Sequence, residues 1–284
     1  LTDYYFDEFD YEQRGSKILI KNLSLNRFDS MPSFDFNNPE FIFSIFRSLD
    51  SFIVEDVYHL EKFENFGMNV SSYEISDYKT MDIGDFLIPI SFKFKFNNAL
   101  INELDPEFMM YLSLFGYDNL VFDFSIGMNI DQISKDFNLN INSLFKDAFE
   151  IDTNLLLTNF DINNINLNND DELTKYFSND ITFDLLEVDI IDKGLTNRAL
   201  EYLNTFYNID KNQVEYLLLE TIKNDNNLGN SIDNIYINKI LKFINNPNTI
   251  NFTINPINGI TYNDFLLGLT MPEKLVKELN IKIN

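Results

Sequence analysis

Cysteine and tryptophan are absent from these 284 residues, histidine occurs once, and the cations number 21 against 45 acids. Without cysteine there are no disulfides, no thiol nucleophile and no cysteine-held zinc or iron–sulfur centre. A single histidine, His59, excludes any mechanism or metal site that needs two imidazoles. A serine triad built on it lacks the Gly-x-Ser-x-Gly elbow that strains the nucleophile into place. No Gly-x-Gly-x-x-Gly and no Gly-Lys-Ser/Thr is present to cradle a phosphate. No stretch reaches the ~18–20 uninterrupted apolar residues of a membrane-spanning helix, and no basic segment leads into an apolar one as in a signal peptide. The formal charge of −24 repels phosphate backbones and anionic lipid headgroups, so nucleic acid is excluded as a partner. No cofactor and no metal are expected.

The chain does carry apolar material. It is 45% hydrophobic and 15% aromatic, with 29 Phe and 14 Tyr, enough for the core of one or two folded domains. The richness in Phe, Ile and Asn fits AT-rich coding, which should also enrich lysine; the surplus of acid is therefore a property of the protein. The sequence opens at Leu1 on the acidic-aromatic run Asp3-Tyr4-Tyr5-Phe6-Asp7-Glu8-Phe9-Asp10. We read this as a form without its original N-terminus, a signal or anchor having been removed.

Apolar residues recur at every second position through the first two-thirds, the mark of strands with one buried face. Such strands are expected at 17–26, 51–60, 69–77, 86–97, 119–131, 134–144, 150–166 and 180–191. Helices are expected near 38–49, where Asn38 can cap and Pro39 takes the first position, and near 99–114, stopped by Gly116 at C′. From Asp192-Lys193-Gly194 the period changes to 3.6. Leu195, Ala199, Leu203 and Phe206 share one helical face. Asp210 can cap a second helix, and a third, 231–246, stops at Pro247. A strand at 249–255, a turn at Asn258-Gly259, two short helices and a final strand complete the chain. The predicted fold is α+β: a long-stranded antiparallel, curled meander sheet with a C-terminal three-helix segment packed on one face or end. The expected division is a β-rich region, 1–192, and a helical segment returning to strand, 193–284, as one continuous fold.

The paired carboxylates Asp7, Glu8 and Asp10, Glu55 and Asp56, and Asp170, Asp171 and Glu172 are what glycoside hydrolysis requires, but so many acids fall close together by chance. Asp161–Glu172 superficially resembles a calcium loop. It lacks the central glycine, and Ile165 and Leu167 interrupt the ligand positions, so a strand end passing into a solvated loop accounts for it better. Three Asn-x-Ser/Thr acceptors, at Asn22, Asn69 and Asn251, are expected by chance in an Asn-rich chain. The alternating strands are the positive feature. Their bland reading is core; their functional reading is an apolar groove lined by Phe122, Phe124, Ile126, Leu139, Ile141, Leu155 and Leu157.

Several segments are similar to a group of alphaproteobacterial envelope proteins whose pattern resembles the YdgA-like and AsmA-like β-repeat families. They are Leu114-Phe115-Gly116-Tyr117-Asp118-Asn119-Leu120, Phe137-Asn138-Leu139-Asn140-Ile141, Asp192-Lys193-Gly194-Leu195-Thr196-Asn197-Arg198, and the ending from Phe243-Ile244-Asn245-Asn246-Pro247 through Ile254-Asn255-Pro256 to Leu279-Asn280-Ile281. The resemblance implies a periplasmic protein, exported or anchored through an N-terminal segment, with no catalytic residues to carry over. AsmA-like proteins are associated with lipid handling in apolar grooves. The leading expectation is therefore a non-catalytic envelope protein binding a lipid or other apolar ligand. A structural module that binds another envelope protein is the alternative, and a hydrolase with an acidic dyad is the second alternative.

Overall fold

The computed structural model describes residues 4–6, 10–14, 17–21, 24–27, 51–61, 66–83, 86–103, 106–164, 170–224, 234–270 and 272–284. They form two compact units: Leu1–Ile130 with Leu139–Lys146, and Asp131–Asn138 with Asp147–Asn284. The class is α+β, mostly antiparallel strand.

In unit 1 the order along the chain is β1 (Tyr4–Phe6), β2 (Asp10–Arg14), β3 (Lys17–Lys21), β4 (Ser24–Arg27), β5 (Ser51–Glu61), β6 (Phe66–Ile83), β7 (Phe86–Glu103), α1 (Pro106–Leu114) and β8 (Leu120–Asp131). β9 (Asp136–Phe145) follows. β5 to β8 pair in sequence as an antiparallel meander. β6 and β7 run 18 residues each, well beyond the usual five or six. Their ladders break at Ser76/Lys79 and at Phe96/Ala99, where Asp77 (φ 55°) and Asn98 (φ 50°) take left-handed backbone. These are β-bulges, and they bend the long strands they interrupt. The first strands depart from the expected meander. β2 pairs antiparallel with β3, and β1 with β4. β3 and β4 then both run parallel to β5 in one shared register, Lys17 opposite Ser51 and Ser24 opposite Tyr58. A parallel partner needs a long crossover connection, and residues 28–50 supply the length. The helix expected at 38–49 lies there, outside the described residues.

The helix expected near 99–114 begins only at Pro106, because 99–103 continue β7. Ala99 is fully buried opposite Val70 and Phe122, and that pairing outweighs the helical spacing of its neighbours. Proline at the first helical position then starts α1, and Gly116 (φ 74°) ends it as expected.

Unit 2 holds β10 (Phe149–Thr158), a 3₁₀ turn at Ile162–Asn164, α2 (Asp170–Lys175) continued by a π turn, Tyr176–Asp180, and β11 (Thr182–Asp192). Next come α3 (Leu195–Tyr207), α4 (Lys211–Asn224), α5 (Asn234–Asn245), β12 (Thr249–Ile254), β13 (Ile260–Thr261), α6 (Tyr262–Gly268), α7 (Pro272–Leu279) and β14 (Ile281–Ile283). The strand expected to run through 166 stops at Thr158. Asn159 turns left-handed (φ 57°), and the Asp161 carboxylate accepts the Asn163 N–H at 3.1 Å, which closes a turn instead. The solvated loop expected within Asp161–Glu172 gives way at Asp170 to helix, which the alternating pattern on either side does not announce. Asp161 is spent on that turn and on Lys135, and among the described residues no group of acids is arranged to hold a metal ion.

The three expected helices are α3 to α5, inserted between β11 and β12. Asp192 opens the segment, its carboxylate accepting the N–H groups of Gly194 at 2.5 Å and Thr196 at 3.1 Å. Asp210 caps α4 through a reciprocal pair with Gln213: it accepts the Gln213 N–H at 2.9 Å while its own N–H donates to the Gln213 side chain at 2.7 Å. α5 packs on β12 and β14 and ends ahead of Pro247.

Lys135 and Asp161 tie the β8–β9 turn to the end of β10, 2.7 Å apart. The Lys135 ammonium holds the Asp161 carboxyl below its ordinary range, with the Asn163 N–H and amide assisting. Because the folded value is the depressed one, the stabilisation is present above the unfolded carboxylate pKa of ~3.9 and disappears as pH falls through the folded value. Lys135→Met is expected to move the Asp161 titration upward toward the ordinary carboxylate range, read by carbon-13 NMR of the side-chain carboxyl. An unmoved titration refutes the pairing.

Candidate functional site

The seven residues expected to line a groove divide between two environments. In unit 1, Phe122, Phe124 and Ile126 alternate along β8 beside Ala99, Phe96 and Phe94 of β7. Phe122 packs on the buried cluster Val54, Val70 and Ala99. The Phe96 ring meets Phe122 edge-on at 5.1 Å and stacks on Phe124 at 5.3 Å, and Phe122 stacks on Phe145 at 5.4 Å. These side chains form an aromatic ladder whose members fill space for one another. Leu139 and Ile141 are half-buried on β9.

In unit 2, Leu155 lies opposite Leu186 and Leu157 opposite Phe183, with Asp184 the extra residue between these pairs. Thr158 Oγ1 donates to the Asp184 carboxylate, which holds the bulge in place. Leu157, a member of the expected set, lines a cavity.

That cavity has a volume of about 330 Å³. It sits where β10 ends, β11 begins and β12 ends, chain ends that antiparallel pairing makes neighbours. Leu157, Ile181, Phe183, Ile254 and Ile260 come from the strands and their ends. Phe177 of the π turn, Tyr262 and Phe265 of α6, and Leu279 at the end of α7 enclose the rest. Each enclosing element is fixed by its own polar bonds. The buried Tyr176 hydroxyl donates to the carbonyls of Asp161 at 3.0 Å and Asn159 at 3.3 Å, which anchors the turn bearing Phe177; burial raises the Tyr176 pKa. Asn263 Nδ2 donates to Asn179 Oδ1 at 2.6 Å and joins α6 to the same turn. Thr261 caps α6, accepting the Asp264 N–H at 3.1 Å and donating to the Asp264 carboxylate at 2.7 Å. The Asn255 N–H donates to the Leu279 carbonyl at 3.2 Å, which sets α7 beside β12.

Chemically the enclosure is uniform. Among its described lining residues only the side chains of Thr261 and Tyr262 carry an oxygen, and the Thr261 hydroxyl is engaged by Asp264. Among the described lining residues none carries a formal charge. Its volume is about twice that of a cavity of ~150 Å³ that admits benzene.

Apart from Leu157, the sequence reading missed the cavity wall. One signal was available: in Tyr262-Asn-Asp-Phe-Leu-Leu-Gly-Leu269 the apolar residues Phe265, Leu266, Leu267 and Leu269 spread wider than a single core-facing stripe when wound as a helix.

The model of a family described as "Uncharacterized protein" matches residues 122–284, a span that contains every residue of the cavity wall. No curated protein and no solved structure matches the chain.

Proposed function

The chain belongs to that family of uncharacterized proteins, and we propose that its unit-2 cavity takes up an apolar ligand, a lipid chain or a molecule of like character, without converting it. The observation that carries this reading is a preformed space of about 330 Å³ walled by Leu157, Phe183, Ile254, Ile260 and aromatic rings, with no unengaged charged group among them. Removing a chain from water into such a space is favourable by ~25 cal/mol per Å² of apolar surface, and few polar groups are desolvated against it. Placement in the cell envelope, with the AsmA-like likeness, is part of the same proposal and is supported by the sequence patterns alone.

Titration with N-phenyl-1-naphthylamine, an uncharged dye that fluoresces in apolar surroundings, is the direct test. The wild-type protein is expected to bind it saturably. Leu157→Trp, which puts an indole into the space, is expected to weaken binding by about tenfold, or ~1.4 kcal/mol. A wild-type protein that leaves the dye dark, or a Leu157→Trp variant that binds as the wild type does, overturns the reading.

A further inference from the structure

The end of unit 2 that holds the cavity is also where large apolar side chains stand in water. Ile133, at the tip of the Asp131–Lys135 turn, is 95% exposed; Ile257, in the turn after β12, is 74% exposed; Leu267 and Tyr262 of α6 are 67% and 58% exposed. Leu269 and Phe265 add to them. The Ile133 turn belongs to this end, because the Phe160 N–H donates to the Lys135 carbonyl at 2.8 Å beside the Lys135–Asp161 ion pair. Turn tips ordinarily carry Gly, Asn, Asp or Ser, and here two of them carry isoleucine at the end that also bears the exposed face of α6.

We propose that this end of unit 2 seats in the interfacial layer of a bilayer that carries no net negative charge, so that an acyl chain passes into the cavity past α6. The inference rests on the apolar-ligand reading. Tyr262 and Phe265 carry the argument, since both line the cavity and both are exposed at its mouth; one apolar surface therefore runs from solvent to interior. A ligand too apolar to cross water needs such a continuous path. The tips are carried singly on separate turns and a helix, which suits immersion in fluid acyl chains; a folded partner is met by a close-packed, shape-matched patch. Charge selects the kind of bilayer. At −24 the chain is repelled by anionic headgroups, and a second copy is repelled by the same charge. Of the acids at this end, Asp131 accepts the N–H groups of Ile133 at 2.8 Å and Ser134 at 3.1 Å, Asp161 pairs with Lys135, and Asp264 caps α6, while Glu278 stands with Lys277 on the surface that Ile257 and Leu267 border.

Vesicle flotation of the whole chain tests this. The wild-type protein is expected to float with phosphatidylcholine vesicles and to float less when phosphatidylglycerol is added. Ile133→Asp combined with Ile257→Asp and Leu267→Asp is expected to lower the partition coefficient by about tenfold or more while dye affinity stays unchanged, since none of the three lines the cavity. Ile133→Asp alone, at the most exposed position, is expected to lose part of the effect and serves if the triple variant folds poorly. Wild-type protein that binds the dye yet stays off phosphatidylcholine vesicles overturns the membrane inference and leaves the cavity reading standing. Flotation unaffected by the substitutions also overturns it, as does sedimentation showing that the same face joins two copies. A wild-type protein that neither binds dye nor floats overturns both.

Discussion

Replacing Ile162 by alanine is expected to cost about 2–5 kcal/mol of folding stability, the range for cutting a fully buried aliphatic chain back to its first carbon. Ile162 is 1% exposed on the 3₁₀ turn that follows β10. Its backbone is clamped on the near side by the Tyr176 hydroxyl on the Asp161 carbonyl, and on the far side by Asn163 on the Asp161 carboxylate, so the turn has little freedom to close over a void. Urea unfolding checks the value through the midpoint at constant slope. The turn also anchors the segment that carries Phe177, so dye affinity should fall together with stability. A loss under about 1 kcal/mol would show that the site relaxes freely and that the turn is not rigid.

Gly259 is the second sensitive position. Its φ of 68° is left-handed, and an added Cβ would lie 2.8 Å from Asp184 Oδ1 and closer still to Thr182 Cγ2. Left-handed backbone costs an ordinary residue about 1–2 kcal/mol, and the overlap with Thr182 and Asp184 adds to that. Asp184 is itself held in the bulge by Thr158, so it cannot retreat without breaking that bond. Gly268 provides the contrast. A Cβ there meets Leu275 Cδ1 at 2.6 Å and its Cβ and Cγ at 3.2 Å, a crowding confined to one side chain, on helical backbone where alanine is preferred by up to ~1 kcal/mol. Gly259→Ala is therefore expected to lose at least about 1 kcal/mol more than Gly268→Ala in urea unfolding. It should also weaken dye binding, because the next residue, Ile260, forms part of the cavity wall. Equal losses for the two variants would place the constraint somewhere other than the Thr158–Asp184 bulge.

The local signals that could be read in advance are those written in short-range chemistry. Strand periodicity located β5 to β8, β11 and β12, and capping residues located the helices: Asp210 ahead of α4, Pro272 opening α7, Gly116 closing α1. The scarcity of glycine, nine in all, proved compatible with many tight turns, because among the described residues six of the seven left-handed non-glycine positions are Asn or Asp. What failed were the places where a distant partner decides. Residues 99–103 have helical spacing, yet Ala99 follows Val70 and Phe122 into the sheet. Residues 159–166 continue an alternating pattern, yet Lys135, a turn away in space and far off in sequence, holds Asp161 where a turn can close.

The candidate groove shows the same division. By itself the sequence determined that the protein is an α+β fold of long antiparallel strands, because alternation, caps and breakers act over a few residues and need no knowledge of the partner. It determined equally that apolar side chains would line up in facing rows. Only the tertiary structure decided what those rows enclose. In unit 1, Phe96, Phe122, Phe124 and Phe145 meet ring to ring. In unit 2 the bulge at Asp184, the turn pinned by Tyr176 and the capped α6 hold Leu157, Phe183 and Ile260 around an open space. Both rows read alike in one dimension, since a side chain that fills a core and one that walls a cavity have the same hydrophobicity and spacing. They differ only in whether a neighbour from elsewhere in the chain arrives to touch them.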